Sequence, residues 1–181
     1  YLQAGTTVKE TDAYRSWTMD KPEAEGILIF TFKTKMHAIS PDLGEGLMAA
    51  IDLAERSYKG LVIWNGTTEA PFSAGADLQA MLPAFMAGGS KAIEPAEQAL
   101  QDLMLRVRYA QVPVVTALRN MVLGGGCELA VHSAKRVAAM ESYVGLVEVG
   151  VGLVPGAGGL TYIARRAAEA CRATTHQDLL P

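Results

Sequence analysis

The run Leu123-Gly124-Gly125-Gly126-Cys127-Glu128-Leu129-Ala130 constrains this chain more than any other stretch. Three successive glycines disfavour a helix or strand interior and suit a tight strand-to-helix turn, where the backbone takes positive φ or approaches another segment closely. A second stretch, Pro71-Phe72-Ser73-Ala74-Gly75-Ala76-Asp77-Leu78, has the same character. Each puts small residues with exposable N–H groups at the mouth of a helix, which is how a protein prepares a site for negative charge developing on oxygen. Glu128 follows the middle glycine by three residues, and Glu148 comes twenty residues later in Gly145-Leu146-Val147-Glu148-Val149-Gly150. Both carboxylates sit in apolar runs, where burial would raise their pKa values. Taken singly, Glu128 reads equally as a helix-dipole partner and Glu148 as a solvated loop residue.

The chain has 181 residues, half of them hydrophobic and 19% charged, so one α/β domain with a sizeable core is expected. A net charge of −3 gives no broad basic surface for nucleic acid. The most apolar stretch, from Val137 to Leu160, is broken by Glu141, Glu148, Pro155 and several glycines, so it cannot cross a membrane as a helix. No signal peptide is visible. With two cysteines, Cys127 and Cys171, no disulfide framework is expected, and a cytoplasmic location follows as the expectation. Cys127 reads as a small core residue. His37, among Lys33, Lys35 and Met36, reads as a surface residue; like His132 and His176 it has no metal-ligand spacing, so no metal is assigned.

Strand-like and helix-like segments alternate. An opening hairpin is predicted from Ser16–Met19 and Gly26–Thr34 around Asp20-Lys21-Pro22-Glu23. Ser40-Pro41 caps a helix that runs to about Tyr58. Short strands are predicted at 61–64, 112–117 and 136–140, the last as a buried strand. Helices are predicted at 76–86, interrupted near Pro83, then at 94–109, 126–132 and 160–172. Pro155-Gly156-Ala157-Gly158-Gly159 reads as a turn and helix entry rather than a ligand site. Residues 1–15 read as a linker-like segment and 173–181 as the start of a further C-terminal region, so the chain reads as a piece of a longer polypeptide. Lys33 and Lys35 read as solvated charges, with a contact to a ligand phosphate as the alternative.

These motifs resemble the enoyl-CoA hydratase/isomerase family, the crotonase superfamily. Ser73-Ala74-Gly75-Ala76-Asp77-Leu78 is similar to its first oxyanion segment, and Leu123 to Ala130 to its triple-glycine segment. Gly152 to Gly159 is similar to the segment after its second glutamate, and Lys35-Met36-His37-Ala38-Ile39 to a stretch lining its CoA site. The resemblance spans about 16–172. It departs at Arg119-Asn120, where the family has Asn-Gly, at Leu146-Val147, where it has Gln-Pro, and at Ala134, where it has Asp. Asparagine tolerates the left-handed region nearly as well as glycine, so the turn at Asn120 is expected to survive.

The resemblance implies a ClpP/crotonase-like spiral of β-β-α units in two roughly perpendicular sheets, with the family's C-terminal trimerisation helices largely absent. It implies an oxyanion hole at the Ala76 and Gly125 amides and catalytic carboxylates at Glu128 and Glu148. Lys35, Ala38, Ala74, Asp77, Leu78 and Gly124 would then lie along bound coenzyme A. The expected reaction is hydration of a trans-2-enoyl-CoA to a 3-hydroxyacyl-CoA in fatty-acid β-oxidation. A Δ3-Δ2-enoyl-CoA isomerase and a non-catalytic CoA-binding or assembly domain are the alternatives. Val144-Gly145-Leu146-Val147-Glu148 is most similar to the hydratase-type domain of certain bacterial 3-hydroxyacyl-CoA dehydrogenases. A parent of that kind would also bind NAD, and the intact protein would be homo-oligomeric or multidomain.

Overall fold

Val/Ile/Leu/Phe-rich runs only a few residues long are strands buried on both faces, and here they stack in parallel. The computed structural model describes residues 5–66 and 69–173. Its main sheet has six strands in the order β1 (Thr6–Glu10), β2 (Tyr14–Thr18), β3 (Ile27–Phe32), β4 (Gly60–Trp64), β5 (Val114–Leu118) and β7 (Lys135–Ala138). The first three pair antiparallel; β3, β4, β5 and β7 pair parallel, with Phe30 opposite Ile63 and Ile63 opposite Thr116. A second, two-stranded parallel sheet joins β6 (Met121–Leu123) to β8 (Tyr143–Gly145). An isolated bridge from Ser73 to Val122 extends it. β5 and β7 are thus each followed by a short strand of the second sheet, and β4 by the bridge at Ser73, in keeping with the β-β-α repeat expected.

The described residues also form five α-helices: α1 (Pro41–Ser57), α2 (Leu78–Gly88), α3 (Ser90–Arg108), α4 (Gly125–His132) and α5 (Gly159–Ala173). Ser40 caps α1 by accepting from the Leu43 amide, with Pro41 at the first helical position. Leu43, Leu47, Ala50, Ile51 and Ala54 recur at helical spacing and are all buried in one cluster with Leu28, Phe30, Leu61 and Ile63. Below them Tyr14 stacks on Phe30 at 4.9 Å.

Four expectations need correction. Thr6–Glu10, read as linker, forms β1, because its two threonines and Val8 favour extended backbone and Lys9 and Glu10 suit an exposed edge strand paired to β2. Pro83 does not interrupt α2; it costs the hydrogen bond to the carbonyl of Gln79, an exposed residue in a helix that buries none of its residues. The strand near Arg136 is fully exposed rather than buried, since β7 is the other edge of the sheet. His37 is half-buried rather than on the surface, with Nδ1 2.6 Å from the Pro71 carbonyl oxygen. Asn120 does adopt the left-handed region, at φ 59°. His176 and residues 174–181 lie outside the described residues.

Gly46 faces the core side of α1, and a β-carbon there would lie 2.1 Å from Tyr14 Cε1. In an open helix Gly→Ala gains about 1 kcal/mol. Here Gly46→Ala should instead lower stability by about 1–3 kcal/mol through overpacking. Urea denaturation of the two proteins measures this; a gain in stability would show that the Tyr14 ring yields freely.

Candidate functional site

The segment from Phe72 to Leu78 is laced to three others by its own backbone. The Phe72 and Ser73 amides donate to the Arg119 and Met121 carbonyls, and Ser73 O accepts from the Leu123 amide. The Ala74 amide donates to Met36 O, Gly75 to the Ser73 hydroxyl, Asp77 to Ile39 O and Leu78 to Ala76 O. Asn65 reinforces this from β4, accepting from the Phe32 amide and donating at 2.6 Å to Phe72 O. The Ala76 N–H is the one amide of the segment left without a partner. A buried backbone donor is ordinarily paired, so an unpaired one at a cavity wall is available to a ligand.

The second donor comes from α4. Gly124 donates to Gly145 O and turns at φ 51°, which frees the first amides of the helix from intrahelical bonding. Gly125 is the first helical residue and its N–H has no acceptor. The two donors are neighbours: a β-carbon on Gly125 would lie 3.3 Å from Ala76 N, and one on Gly75 would lie 3.2 Å from Gly125 N. Gly75 sits at φ 101°, so both its conformation and its position exclude a side chain.

Glu128, one turn into α4, is 2% exposed. Its Oε1 accepts from the Gly159 amide at 2.9 Å. Burial pushes its carboxyl above the ordinary glutamate range; the Gly159 amide pulls it back and the Glu148 charge raises it further. Glu148 opens a single 3₁₀ turn, Glu148–Val151, and its Oε2 is buried without a hydrogen-bond partner. Its Oε1 lies 3.3 Å from where a Gly124 β-carbon would be, so Gly124 is what lets Glu148 approach the turn at Gly124-Gly125.

Ala76, Gly125, Glu128 and Glu148 all line one cavity of about 650 Å³. The four residues expected to act together are therefore brought together. Of the residues implied along coenzyme A, Ala74, Leu78 and Gly124 border this cavity. Asp77 instead caps α2 by accepting from the Gln79 and Ala80 amides and lines an adjoining apolar cavity of about 220 Å³. Lys35 is exposed and Ala38 half-buried, and neither borders the cavity. Lys33 is engaged at the surface with Glu10 at 2.8 Å.

Cys127 is 3% exposed, and burial followed by the charges of Glu128 and Glu148 pushes its thiol up to about 11. That is a core residue, with no thiolate at neutral pH. His132 is buried, with Nδ1 2.7 Å from the Glu128 carbonyl oxygen, and burial lowers its basicity. Among the described residues no group of histidine, cysteine and carboxylate side chains could hold a metal ion.

Sequence reasoning missed two parts of the site. The Pro155–Gly159 turn was read as a plain helix entry, yet its last amide holds Glu128. Glu97, on α3, was not singled out, yet it lines the same cavity as a third carboxyl. Helical spacing alone carried a signal for Glu97, since it falls on the same side of α3 as Leu100 and Met104.

The sequence from 23 to 175 matches the family model described as enoyl-CoA hydratase/isomerase. The chain is 35% identical over 159 residues to a probable 3-hydroxyacyl-CoA dehydrogenase of Bacillus subtilis, covering 88% of this chain and 20% of that protein. It is 35% identical over 156 residues to a crotonyl-CoA hydratase of Syntrophomonas wolfei, covering 84% and 58% respectively. The chain thus spans about a fifth of the first relative's length and somewhat over half of the second's. Among solved structures, an enoyl-CoA hydratase/carnitine racemase from Magnetospirillum magneticum superposes with a TM-score of 0.74 at 21% identity, over 86% of this chain and 57% of that one. An enoyl-CoA hydratase from Bacillus anthracis superposes with a TM-score of 0.69 at 23% identity, over 90% and 58%. The fold is that of the crotonases, and the chain belongs to the enoyl-CoA hydratase/isomerase family.

Proposed function

We propose that this chain hydrates trans-2-enoyl-CoA thioesters to 3-hydroxyacyl-CoA. The observation that carries the reading is the convergence of two unpartnered amides and two carboxyls on one cavity. The thioester oxygen accepts from the Ala76 and Gly125 N–H groups. Water adds at C3 as Glu128 takes its proton; the C2=C3 π electrons move onto the thioester oxygen as an enolate. The enolate then collapses and C2 takes a proton from Glu148. Charge grows on the oxygen only along the reaction path, so the two amides act mainly on the transition state. Glu128 suits the base because the Gly159 amide fixes its carboxylate, and Glu148 lines the same cavity as the second carboxyl.

The coenzyme A moiety leaves past Ala74, Leu78 and Gly124 toward Lys35 and Ala38 in this proposal. The Ala74 amide bonded to Met36 O sets the 35–38 turn beside the cavity rim. Asp77 serves this path indirectly, by starting α2. A longer parent in which a second domain binds NAD and oxidises the 3-hydroxyacyl product fits the 3-hydroxyacyl-CoA dehydrogenase relative. A role in fatty-acid β-oxidation, a cytoplasmic location and a homo-oligomeric or multidomain parent belong to the same proposal. No helix among the described residues is long and apolar enough to cross a membrane.

Glu128→Gln and Glu148→Gln should each lower the kcat for crotonyl-CoA hydration by about 10²–10⁴. Binding of a saturated acyl-CoA should stay within a few-fold, since neither carboxyl holds the coenzyme. An isomerase would lose its activity in one variant and not the other, and hydration at the wild-type rate in either overturns the assigned roles. The pH profile gives an independent check. Glu128 must be ionised to act as base, and its carboxyl is raised, so activity is lost as pH falls through that raised value. The acid limb of kcat/KM should have its midpoint above the ordinary glutamate value of 4.5. It belongs to the coupled carboxyls together rather than to one residue. A midpoint below 4.5 would contradict a buried base.

A further inference from the structure

Glu97 is a third carboxyl on the cavity wall, and nothing in the mechanism uses it. It rises from the middle of α3 and lines the same cavity as Glu128 and Glu148. Its Oε1 is buried and has no hydrogen-bond partner. A β-carbon on Gly156 would lie 1.8 Å from that oxygen, so the turn after Glu148 closes over it. Oε2 is the oxygen left to meet a ligand. Its carboxyl is raised by burial and by the charge of Glu148. Glu128 in turn feels the charge of Glu97, so Glu97 stands within electrostatic range of both catalytic carboxyls.

The neighbours of Glu97 extend the same chemistry. Ser90, Glu94, Glu97 and Gln101 recur at spacings of four, three and four along α3 and all border the cavity. The α3 wall of the acyl space therefore sets these polar groups among Ile93 and Leu100, while Met81, Val151 and Leu153 supply apolar lining elsewhere. A plain alkyl chain passing Glu97 would displace water and leave the carboxyl unpaired. An acyl group with a hydroxyl would pair it. A hydroxyl donates to an ionised carboxylate and accepts from a neutral acid, so it suits either protonation state, whereas an ammonium group suits only the ionised one.

We propose that Glu97 is a specificity-determining residue that selects acyl groups carrying a hydroxyl beyond C3, by hydrogen bonding that hydroxyl in the cavity it shares with Glu128 and Glu148. The proposal rests on the acyl-CoA reading above and names the class of acyl group. Selection of this kind is strong because the analogue lacking the hydroxyl leaves a buried polar group unsatisfied.

Saturated esters cannot be hydrated, so their binding isolates this claim from catalysis. Dissociation constants are measured by calorimetry for matched pairs: butyryl-CoA against 4-hydroxybutyryl-CoA, and the pentanoyl and hexanoyl pairs hydroxylated at the terminal carbon. In the wild type at least one hydroxylated ester should bind about 10-fold tighter than its alkyl partner, and Glu97→Leu should abolish or reverse that ratio. Glu97→Gln should retain part of it. Each ratio is taken within one protein, so a variant that folds less well weakens both esters together and leaves the ratio readable. No hydroxyl preference in the wild type, or one unchanged in Glu97→Leu, overturns the proposal. Tighter binding of 4-aminobutyryl-CoA than of its hydroxy counterpart overturns the choice of hydroxyl. Failure of the acyl-CoA reading itself looks different: neither ester of any pair would bind.

Discussion

The site depends on one contact between two pieces of backbone. Ser73 donates to the Met121 carbonyl and accepts from the Leu123 amide at the edge of the small second sheet, and this holds Gly75 against the turn at Gly124-Gly125. Everything chemical is arranged around that contact. The lacing of 72–78 consumes every amide but that of Ala76, and the entry of α4 leaves that of Gly125 unpaired a few ångströms away. Side chains on Gly75 or Gly125 would fill the space the pair needs. The glycines are thus a consequence of two main chains meeting closely enough to share one acceptor.

The larger sheet serves as the frame for this contact. β4 and β5 run parallel and are buried between α1 and the rest of the core, so the loops at their ends are fixed by strand register rather than by their own sequence. Asn65, at the end of β4, ties the end of β3 to Phe72, and Arg119, just after β5, takes the Phe72 amide. The apolar packing of α1 is therefore coupled to the geometry of the oxyanion amides through two short polar links. Sites placed by rigid elements in this way keep their donors oriented without reorganising during reaction.

Much of this was legible in the sequence because the relevant residues can do little else. Gly124-Gly125-Gly126 ahead of an apolar helix, and Glu128 inside that helix, pointed to a tight strand-to-helix turn and a buried carboxyl, and both are present. Ser40-Pro41 marked the start of α1 to the residue. The strands β6 and β8 were not visible, since three residues of ordinary composition carry no periodicity and exist only through each other. The exposed edges misled in opposite ways. Thr6–Glu10 looked too polar for a strand, and residues near Arg136 looked apolar enough to be buried. Edge strands obey neither rule, being paired on one side only. Glu97 and the Gly159 amide were hidden for another reason: each matters through a partner more than thirty residues away, and no local pattern reports that.

The central claim is that the Ala76 and Gly125 amides bind one thioester oxygen. Infrared difference spectroscopy on bound acyl-CoA carrying a ¹³C-labelled thioester carbonyl reads this directly. Two hydrogen bonds from a water-excluded pair of amides should polarise the carbonyl and move its stretch to lower frequency than for the same ester in water. A Gly125→Val variant, whose side chain would intrude beside the Ala76 amide, should move the band back toward the free value. A bound carbonyl whose frequency matches that of the ester in water, or is the same in wild type and variant, would contradict the account.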